Sequence, residues 1–196
     1  PNAGDIKFVP QRDIEYKQEI TDEDRTILGK DVPDFTYGVN LSLQYKGFEF
    51  SMFGQGISGT KVAFDVYGVH PFYHGQDSPR KYHLKRWTEE NPNPHAAYPR
   101  IYSASSVHTT YNRNFSDYHL FDSDYFRFKT LSLGYTVPSA TVKNWGLQSL
   151  KVYVTGENLF TVRADKKMED FDPETAGGVI YTLGTKSVAF GVNISF

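Results

Sequence analysis

His70 and His74 stand four residues apart in His-Pro-Phe-Tyr-His, a spacing found in metal sites. Pro71 works against the helix that would align the two rings, and no cysteine or third ligand stands at motif spacing. The pair therefore reads as a solvated loop rather than a zinc centre. Asp170, Asp172 and Glu174 surround Pro173. Carboxylates grouped this way can bind calcium or act as an acid pair, but that chemistry depends on separations that sequence spacing does not encode. A solvated loop is again the expectation. No G-x-S-x-G, P-loop or dinucleotide fingerprint is present, and no catalytic residue is assigned. Tyr73, Trp87, Tyr98, Tyr102, Tyr111 and Tyr118 populate one long polar stretch. Aromatic faces with polar edges suit sugar or peptide contacts, contact with a protein lid, or packing of the loop on itself. Trp87, Tyr98, Arg100 and Tyr102 are the candidates for ligand or lid contact.

Composition narrows the field. A net charge of −2 gives no electrostatic case for nucleic acid. The absence of cysteine excludes a disulfide framework and any thiolate metal site. No run of about 18 apolar residues exists, so no transmembrane helix is expected. A mean hydropathy of −0.51 does not argue against a membrane barrel, whose strands turn only alternate residues to lipid. Aromatics make up 16% of the chain, which suits interfacial girdles, sugar-binding surfaces or both. The chain opens on Pro1 and shows no signal peptide; an exported protein without its leader, or a fragment, would read this way.

The elements that must position these residues follow from period-two alternation. In the terminal run, Val188, Phe190, Val192, Ile194 and Phe196 share one parity, opposite Ser187, Ala189, Gly191, Asn193 and Ser195. Phe35 to Tyr45 alternates the same way and opens and closes on aromatics. Lys46-Gly47 reads as a tight turn, followed by a return strand from Phe48 to about Ser58. A strand from about Asp122 to Val137 sets Leu131, Leu133, Tyr135 and Val137 against Thr130, Ser132, Gly134 and Thr136. Arg127 and Lys129 share the parity of those leucines. A lipid-facing Arg at mid-membrane costs about 2–4 kcal/mol, which places the pair above the hydrocarbon or across a bulge that switches faces. The strand from Leu147 to Thr161 puts Leu150, Val152 and Val154 outward and Lys151, Tyr153, Thr155 and Glu157 inward. Between these strands, the polar stretches 59–121 and 162–183 alternate with short connections at 46–47 and 138–146. Near Tyr82–Trp87 a helical turn is expected. Short and long connections in alternation are the pattern of outer-membrane barrels. Five strands cannot close one, and an open edge is not tolerated in hydrocarbon.

Several phrases carry a family resemblance. They include Gly4-Asp5-Ile6-Lys7-Phe8, Asp24-Arg25-Thr26-Ile27-Leu28-Gly29, Tyr45-Lys46-Gly47-Phe48 and Arg86-Trp87-Thr88. Further on come Ser123-Asp124-Tyr125-Phe126-Arg127-Phe128-Lys129-Thr130-Leu131, Leu133-Gly134-Tyr135-Thr136, Gly156-Glu157-Asn158-Leu159-Phe160-Thr161 and the closing Asn193-Ile194-Ser195-Phe196. In this order they resemble, over nearly the whole chain, the carboxy-terminal end of SusC/RagA-type TonB-dependent outer-membrane transporters.

The resemblance implies an all-β fold, an antiparallel transmembrane β-barrel segment supplying about five closing strands of a barrel of roughly 22. Residues 1–196 would be the carboxy-terminal part, with long extracellular loops. The plug and amino-terminal strands would lie elsewhere. The implied partners are that remaining barrel and plug, a SusD-like surface lipoprotein, the TonB complex acting through the plug, and outer-membrane lipid. The implied substrate is an oligosaccharide or a peptide, and the implied location is the outer membrane. No cofactor or enzymatic activity is implied. Phe190, Val192, Ile194 and Phe196 would form the barrel-assembly signal, the terminal aromatic being read by the assembly machinery. Family members often carry an acidic D-x-N-x-D-G stretch between the positions of Phe8 and Thr21. Here the segment reads VPQRDIEYKQEI and lacks the glycine and alternating carboxylates that wrap a hard cation, so no metal site is carried over. The competing reading is a secreted soluble carbohydrate-binding β-sandwich, which would need its apolar strand faces turned to a shared core; a secreted β-rich glycosidase using Asp170 or Glu174 is a third.

Overall fold

Strand conformation follows the alternation. The computed structural model describes residues 1–12, 20–63, 70–72, 78–166, 169, 171–174 and 184–196. These include seven strands: β1 (Phe35–Tyr45), β2 (Phe48–Ser58), β3 (Lys61–Ala63), β4 (Leu120–Asp122), β5 (Tyr125–Thr136), β6 (Ser149–Arg163) and β7 (Ser187–Ser195). They also include two short helices, α1 (Val107–Arg113) and α2 (Ser139–Lys143). The chain forms two compact units. The sheet unit is built mainly from Lys30–Thr60, Asp122–Ala176 and Tyr181–Phe196, and the loop unit from Pro1–Gly29 and Lys61–Phe121.

The sheet unit is one antiparallel sheet of five strands in the order β1-β2-β5-β6-β7. Each strand pairs with the next long strand in the chain, as the alternation predicts. Lys46 and Gly47 turn β1 into β2 with φ of 46° and 87°. Positive φ at both central residues makes a turn whose twist matches that of the strands it joins. Register then stacks residues of one parity into rows across all five strands. One row runs Tyr45, Phe48, Tyr135, Val152, Val192, and the next Leu43, Phe50, Leu133, Val154, Phe190. The opposite face carries the row Ser42, Ser51, Ser132, Thr155, Ala189. The apolar face is exposed, with Phe190 83% and Val192 58% accessible. No second sheet covers it among the described residues. A soluble sandwich would bury this face.

The pairing of β2 with β5 slips between Phe53 and Gly54, and that of β5 with β6 slips between Phe128 and Thr130. Lys129 is the extra residue on β5 opposite β2, and Asn158, at φ 52°, lies in the matching irregularity of β6. The slip exchanges parity. Leu131 and Phe128 therefore share the apolar face, while Arg127 falls on the polar one. Of the two expected placements for Arg127, the bulge is the one observed. Glycines on the apolar face make room for rings: in the row Tyr37, Gly56, Phe126 the two aromatics stack across the glycine at 6.1 Å, where a Cβ would lie 2.8 Å from Tyr37 Cζ.

The boundaries differ from expectation in three strands: β6 runs Ser149–Arg163 rather than Leu147–Thr161, β7 stops at Ser195 rather than Phe196, and β5 starts late. The strand expected to begin near Asp122 begins at Tyr125, because Leu120–Asp122 pairs instead with Lys61–Ala63 in a separate two-stranded sheet. Beside this small sheet, Ser123 N–H donates to the Thr60 carbonyl at 3.2 Å, and Thr60 N–H donates to Asp124 Oδ1 at 3.1 Å. The two stems of the 59–121 segment are thus stitched together where they leave β2 and enter β5. Both ends of that segment lie at the Ser58/Tyr125 end of the large sheet, and Phe196 lies at the Lys46-Gly47 end. The connection 138–146 holds α2, whose Val142 is fully buried.

The loop unit lacks strand periodicity and is held by irregular contacts. It contains α1, capped by the Ser106 side chain accepting from His108 N–H, and a 3₁₀ turn at Lys81–Lys85 where a helical turn was expected. Its buried residues include Tyr98, Phe121, His70, His83, Asn112 and His119.

Candidate functional site

The polar face of the sheet carries charged side chains. Glu49 on β2 and Lys151 on β6 form an ion pair across the intervening β5. Gly134 makes this reach possible: it lies opposite Glu49, and a Cβ there would sit 3.0 Å from Lys151 Cε. Ser42, Gln44, Ser51, Ser132, Tyr153, Thr155 and Asn193 surround the pair in a concavity of about 320 Å³. This face offers hydroxyl, amide and paired charge to a polar occupant. Lys151 and Asn193 are cross-strand partners on it, on the parity read as inward.

A second polar cluster sits beyond the bulge. Arg127 donates from Nη2 to Asp172 at 2.6 Å, from Nη1 to Glu174 at 3.0 Å, and from Nε to the Thr161 hydroxyl at 2.9 Å. Lys129 reaches the same Glu174 oxygen at 2.6 Å. The side chains of Arg127 and Asp172 are 5% and 7% exposed. Asp172 is therefore not the solvated loop carboxylate expected, and Glu174, though more exposed, is ion-paired; a bulge that turns Arg127 to the polar face gives both a fixed cation. Burial opposes ionisation of Asp172, but Arg127 and the Glu174 N–H outweigh it and hold the carboxyl below its ordinary value. Asp170 lies outside the described residues. Among the described residues no group of three or more His, Asp or Glu is arranged to hold a metal ion.

In the loop unit the four contact candidates are neighbours. Trp87 N–H donates to the Tyr98 carbonyl at 2.9 Å, and Arg100 N–H donates to the Gly4 carbonyl at 2.8 Å. The Arg100 guanidinium lies 5.7 Å from the Trp87 ring and 5.2 Å from the Tyr102 ring, and pairs with Glu89 at 2.8 Å. A cation over two aromatic faces is a surface for polar ligands or a protein partner. Tyr98 differs from its three neighbours. It is buried, and its hydroxyl meets His70 Nδ1 at 3.1 Å. His70 is 1% exposed, which corrects the solvated-loop expectation. Its ring packs 5.5 Å from His119, so the histidine fills the interior of the loop unit. His74 and Tyr73 lie outside the described residues. Tyr111 packs edge-on to Phe8 at 5.4 Å, and Tyr118 donates to the Ala97 carbonyl at 2.7 Å.

One organising residue entered the sequence reading only as part of the phrase Gly4-Asp5-Ile6-Lys7-Phe8, with no role of its own. Asp5, with a fully buried side chain, accepts from Asn2 N–H at 2.6 Å and Asn112 Nδ2 at 3.0 Å, and meets His108 Nδ1 at 2.9 Å. It ties the first residues to α1. Burial works against its charge, and the hydrogen bonds from Asn2, Asn112 and His108 outweigh it, lowering the carboxyl from its usual value. The phrase around Asp5 is legible as a resemblance, but its burial is not, because its partners His108 and Asn112 lie 103 and 107 residues away.

On β7, Phe190, Val192 and Ile194 share the exposed apolar face, and Phe196 follows the strand's end, 83% exposed.

No family model matches the chain. It is 30% identical over 149 residues to TonB-dependent receptor P3 of Formosa agariphila, covering 76% of this chain and 14% of that protein. It is 28% identical over 187 residues to TonB-dependent receptor P26 of the same organism, covering 90% of this chain and 18% of that protein. The chain thus spans less than a fifth of these relatives' length. Among solved structures, the RagAB peptide importer in its open-open state matches with a TM-score of 0.65 at 22% identity, over 96% of this chain and 20% of that one. Its closed-closed state matches at 0.63 with 23% identity, over 91% of this chain and 19% of that one. These likenesses fix the fold of the chain.

Proposed function

The chain resembles, in sequence and in fold, a segment of a SusC/RagA-type TonB-dependent transporter, and from that premise we propose that it is the carboxy-terminal barrel portion of an outer-membrane active importer. The observation that carries this reading is the five-stranded sheet with one continuous apolar face left uncovered and one polar face lined by paired charge. Lipid satisfies the first face, and a polar lumen holding a plug satisfies the second. Among the described residues the outer edges of β1 and β7 are unpaired, and they call for further strands, because backbone N–H and C=O groups find no partner in hydrocarbon. The rest of the transporter supplies those strands and the plug. Phe190, Val192, Ile194 and Phe196 act in barrel assembly.

In this reading the loop unit lies outside the cell. Trp87, Arg100 and Tyr102 contact a SusD-like lipoprotein lid or the substrate, with Tyr98 packed beneath them. The substrate is an oligosaccharide or a peptide, the second class supported by the importer whose fold the chain shares. Energy comes from the TonB complex through the plug, and this segment performs no catalysis. The uncovered apolar face leaves no observation in favour of the soluble sandwich.

The test is uptake by cells carrying the full-length transporter. Labelled oligosaccharides and labelled peptides are offered with TonB present and with TonB deleted. The expected outcome is outer-membrane localisation and TonB-dependent entry of one class. Recovery of the protein in the soluble secreted fraction would overturn the reading.

A further inference from the structure

Arg100 owes its place in the loop unit to backbone and rings more than to its counter-ion. Its N–H donates to the Gly4 carbonyl at 2.8 Å, and its guanidinium lies over the Trp87 and Tyr102 rings. Each ring is itself located. Trp87 rests against Gly4, which takes a φ of 89°; a Cβ there would lie 2.4 Å from Trp87 Cε3 and 2.9 Å from Arg100 Cβ. Tyr102 stacks on the His108 ring at 4.9 Å, and His108 Nδ1 meets the enclosed Asp5 carboxylate at 2.9 Å. The Arg100 side chain is half-buried, at 35% exposed. A planar guanidinium positioned in this way presents a fork of N–H donors that matches a carboxylate.

A carboxylate already stands there. Glu89 Oε1 lies 2.8 Å from Arg100 Nη1, and the Glu89 side chain is 68% exposed. An ion pair this open to water holds its partners weakly. The arginine is fixed by its surroundings, while the acid reaches it from solvent. Beside Arg100 lies a recess of about 20 Å³, whose lining includes Tyr98, Tyr102, Asn112 and Arg113 and, among the described residues, no carboxylate. It has room for about one water-sized group. Arg113, which has further partners of its own, adds a second positive charge to that lining.

We propose that Arg100 binds a carboxylate of the imported molecule, with Glu89 as the internal occupant that the ligand displaces and Trp87 and Tyr102 as the walls beside it. This rests on the reading of the chain as part of an importer. It narrows the substrate to a molecule that bears a carboxylate: a peptide, through its α-carboxyl or an acidic side chain, or an oligosaccharide containing uronic acids. The exchange conserves charge. One carboxylate leaves the guanidinium as another arrives, so Arg100 keeps a counter-ion throughout and Glu89 passes into water, where it is already largely exposed. What the ligand gains over Glu89 is ring surface. Trp87 and Tyr102 are both half-buried, and their aromatic faces pack against a sugar ring or an apolar side chain next to the bound carboxylate. A protein lid is the competing occupant. A stable protein contact covers roughly 800 Å² on each partner, whereas a fork between two rings beside a recess for one small group is on the scale of a single ligand group.

Equilibrium binding to the purified full-length transporter in detergent tests this, read by fluorescence anisotropy. The probes are a labelled glutamate-containing pentapeptide and its amidated, glutamine-containing counterpart, and a labelled tetragalacturonate and its methyl ester. The acidic member of one pair should bind about 10-fold or more tighter than its neutral counterpart, and which pair it is names the source of the carboxylate. Arg100→Gln should abolish that preference. Glu89→Gln removes the internal competitor and should tighten binding of the acidic probe by about 2–5-fold while leaving the neutral one unchanged. A bridge that serves structure alone predicts no such tightening. Equal binding of acid and neutral probes in both pairs overturns the proposal, as does an Arg100→Gln protein that keeps the preference. So does a Glu89→Gln protein that binds the acidic probe no more tightly than its parent, and this variant decides if Arg100→Gln does not fold. Loss of a co-purifying lipoprotein from Arg100→Gln, with the acidic preference kept, assigns the surface to the lid and overturns the proposal as well. Outer-membrane localisation and TonB-dependent uptake of the parent are scored separately. Their failure removes the importer reading, whereas a localised, transporting protein without acidic preference removes the carboxylate site alone.

Discussion

Arg127 is the residue whose chemistry changes most between sequence and structure. By parity it stands with Leu131 and Leu133; by bulge it faces the polar side and holds Asp172 and Glu174. Arg127→Ala would leave Asp172 enclosed without its guanidinium, and breaking a buried pair from one side costs about 3–5 kcal/mol. Lys129→Ala removes a partner from the more exposed Glu174 and should cost about 0–1 kcal/mol. Urea unfolding of the folded transporter, followed by its mobility shift on gels, would measure both; equal small effects would contradict the buried latch. The pH dependence has a defined sign. Asp172 is held below its ordinary value, so its contribution is present above about pH 4 and is lost as pH falls through the folded value. Arg127→Ala should flatten that acid limb of the stability curve. At this scale the sequence was least legible. Asp172 and His70 read as solvated and Glu174 as unpaired, because their burial or pairing depends on partners distant in the chain: 45 residues separate Arg127 from Asp172.

The strands were the legible elements. Period two needs only local order, and it placed β1 and β2 to the residue and gave Lys46-Gly47 as their turn. The slips in β2, β5 and β6 left only the anomalous parity of Arg127 and Lys129 as a trace, since a bulge is a property of register between strands. Two predictions belong here. Val192 lies on the apolar face and Asn193 on the other, so Val192→Arg should cost about 2–4 kcal/mol at mid-membrane, and Asn193→Arg much less. Folding into lipid vesicles of stated thickness would compare them, and equal costs would argue against a lipid-facing β7. Gly47→Ala meets both a φ of 87° and the Thr136 carbonyl, 2.7 Å from the added Cβ. It should destabilise the β1–β2 hairpin by about 1–3 kcal/mol. Gly47→Asn, better suited to positive φ, should recover part of that loss in the same unfolding assay.

For the whole molecule, the governing fact is that a sheet with one apolar face, and with two edges unpaired among the described residues, is not a finished soluble object. Residues 1–196 expressed alone should aggregate or need detergent, because nothing among the described residues covers the face that carries Phe190 and Leu133. Sedimentation of the purified segment without detergent would check this, and a monodisperse monomer with a cooperative melt would refute it. The alternation of short and long connections made this architecture readable, whereas the interior of the 59–121 segment stayed opaque. Its packing rests on Asp5, Tyr98 and three histidines, and no period marks such residues.

The pairing of β3 with β4, with the Thr60 bonds to Ser123 and Asp124, closes the neck of that segment. A closed neck makes the insertion modular. Whatever is spliced between Lys61 and Asp122, the scaffold meets the same two stems, so the entropy of a longer loop, which grows only logarithmically with length, falls on the insertion and not on the β2–β5 seam. Lineages can therefore trade this segment for another, of different length and lining, without renegotiating the strands that carry it. Diversification would then concentrate between the stems and stay sparse outside them.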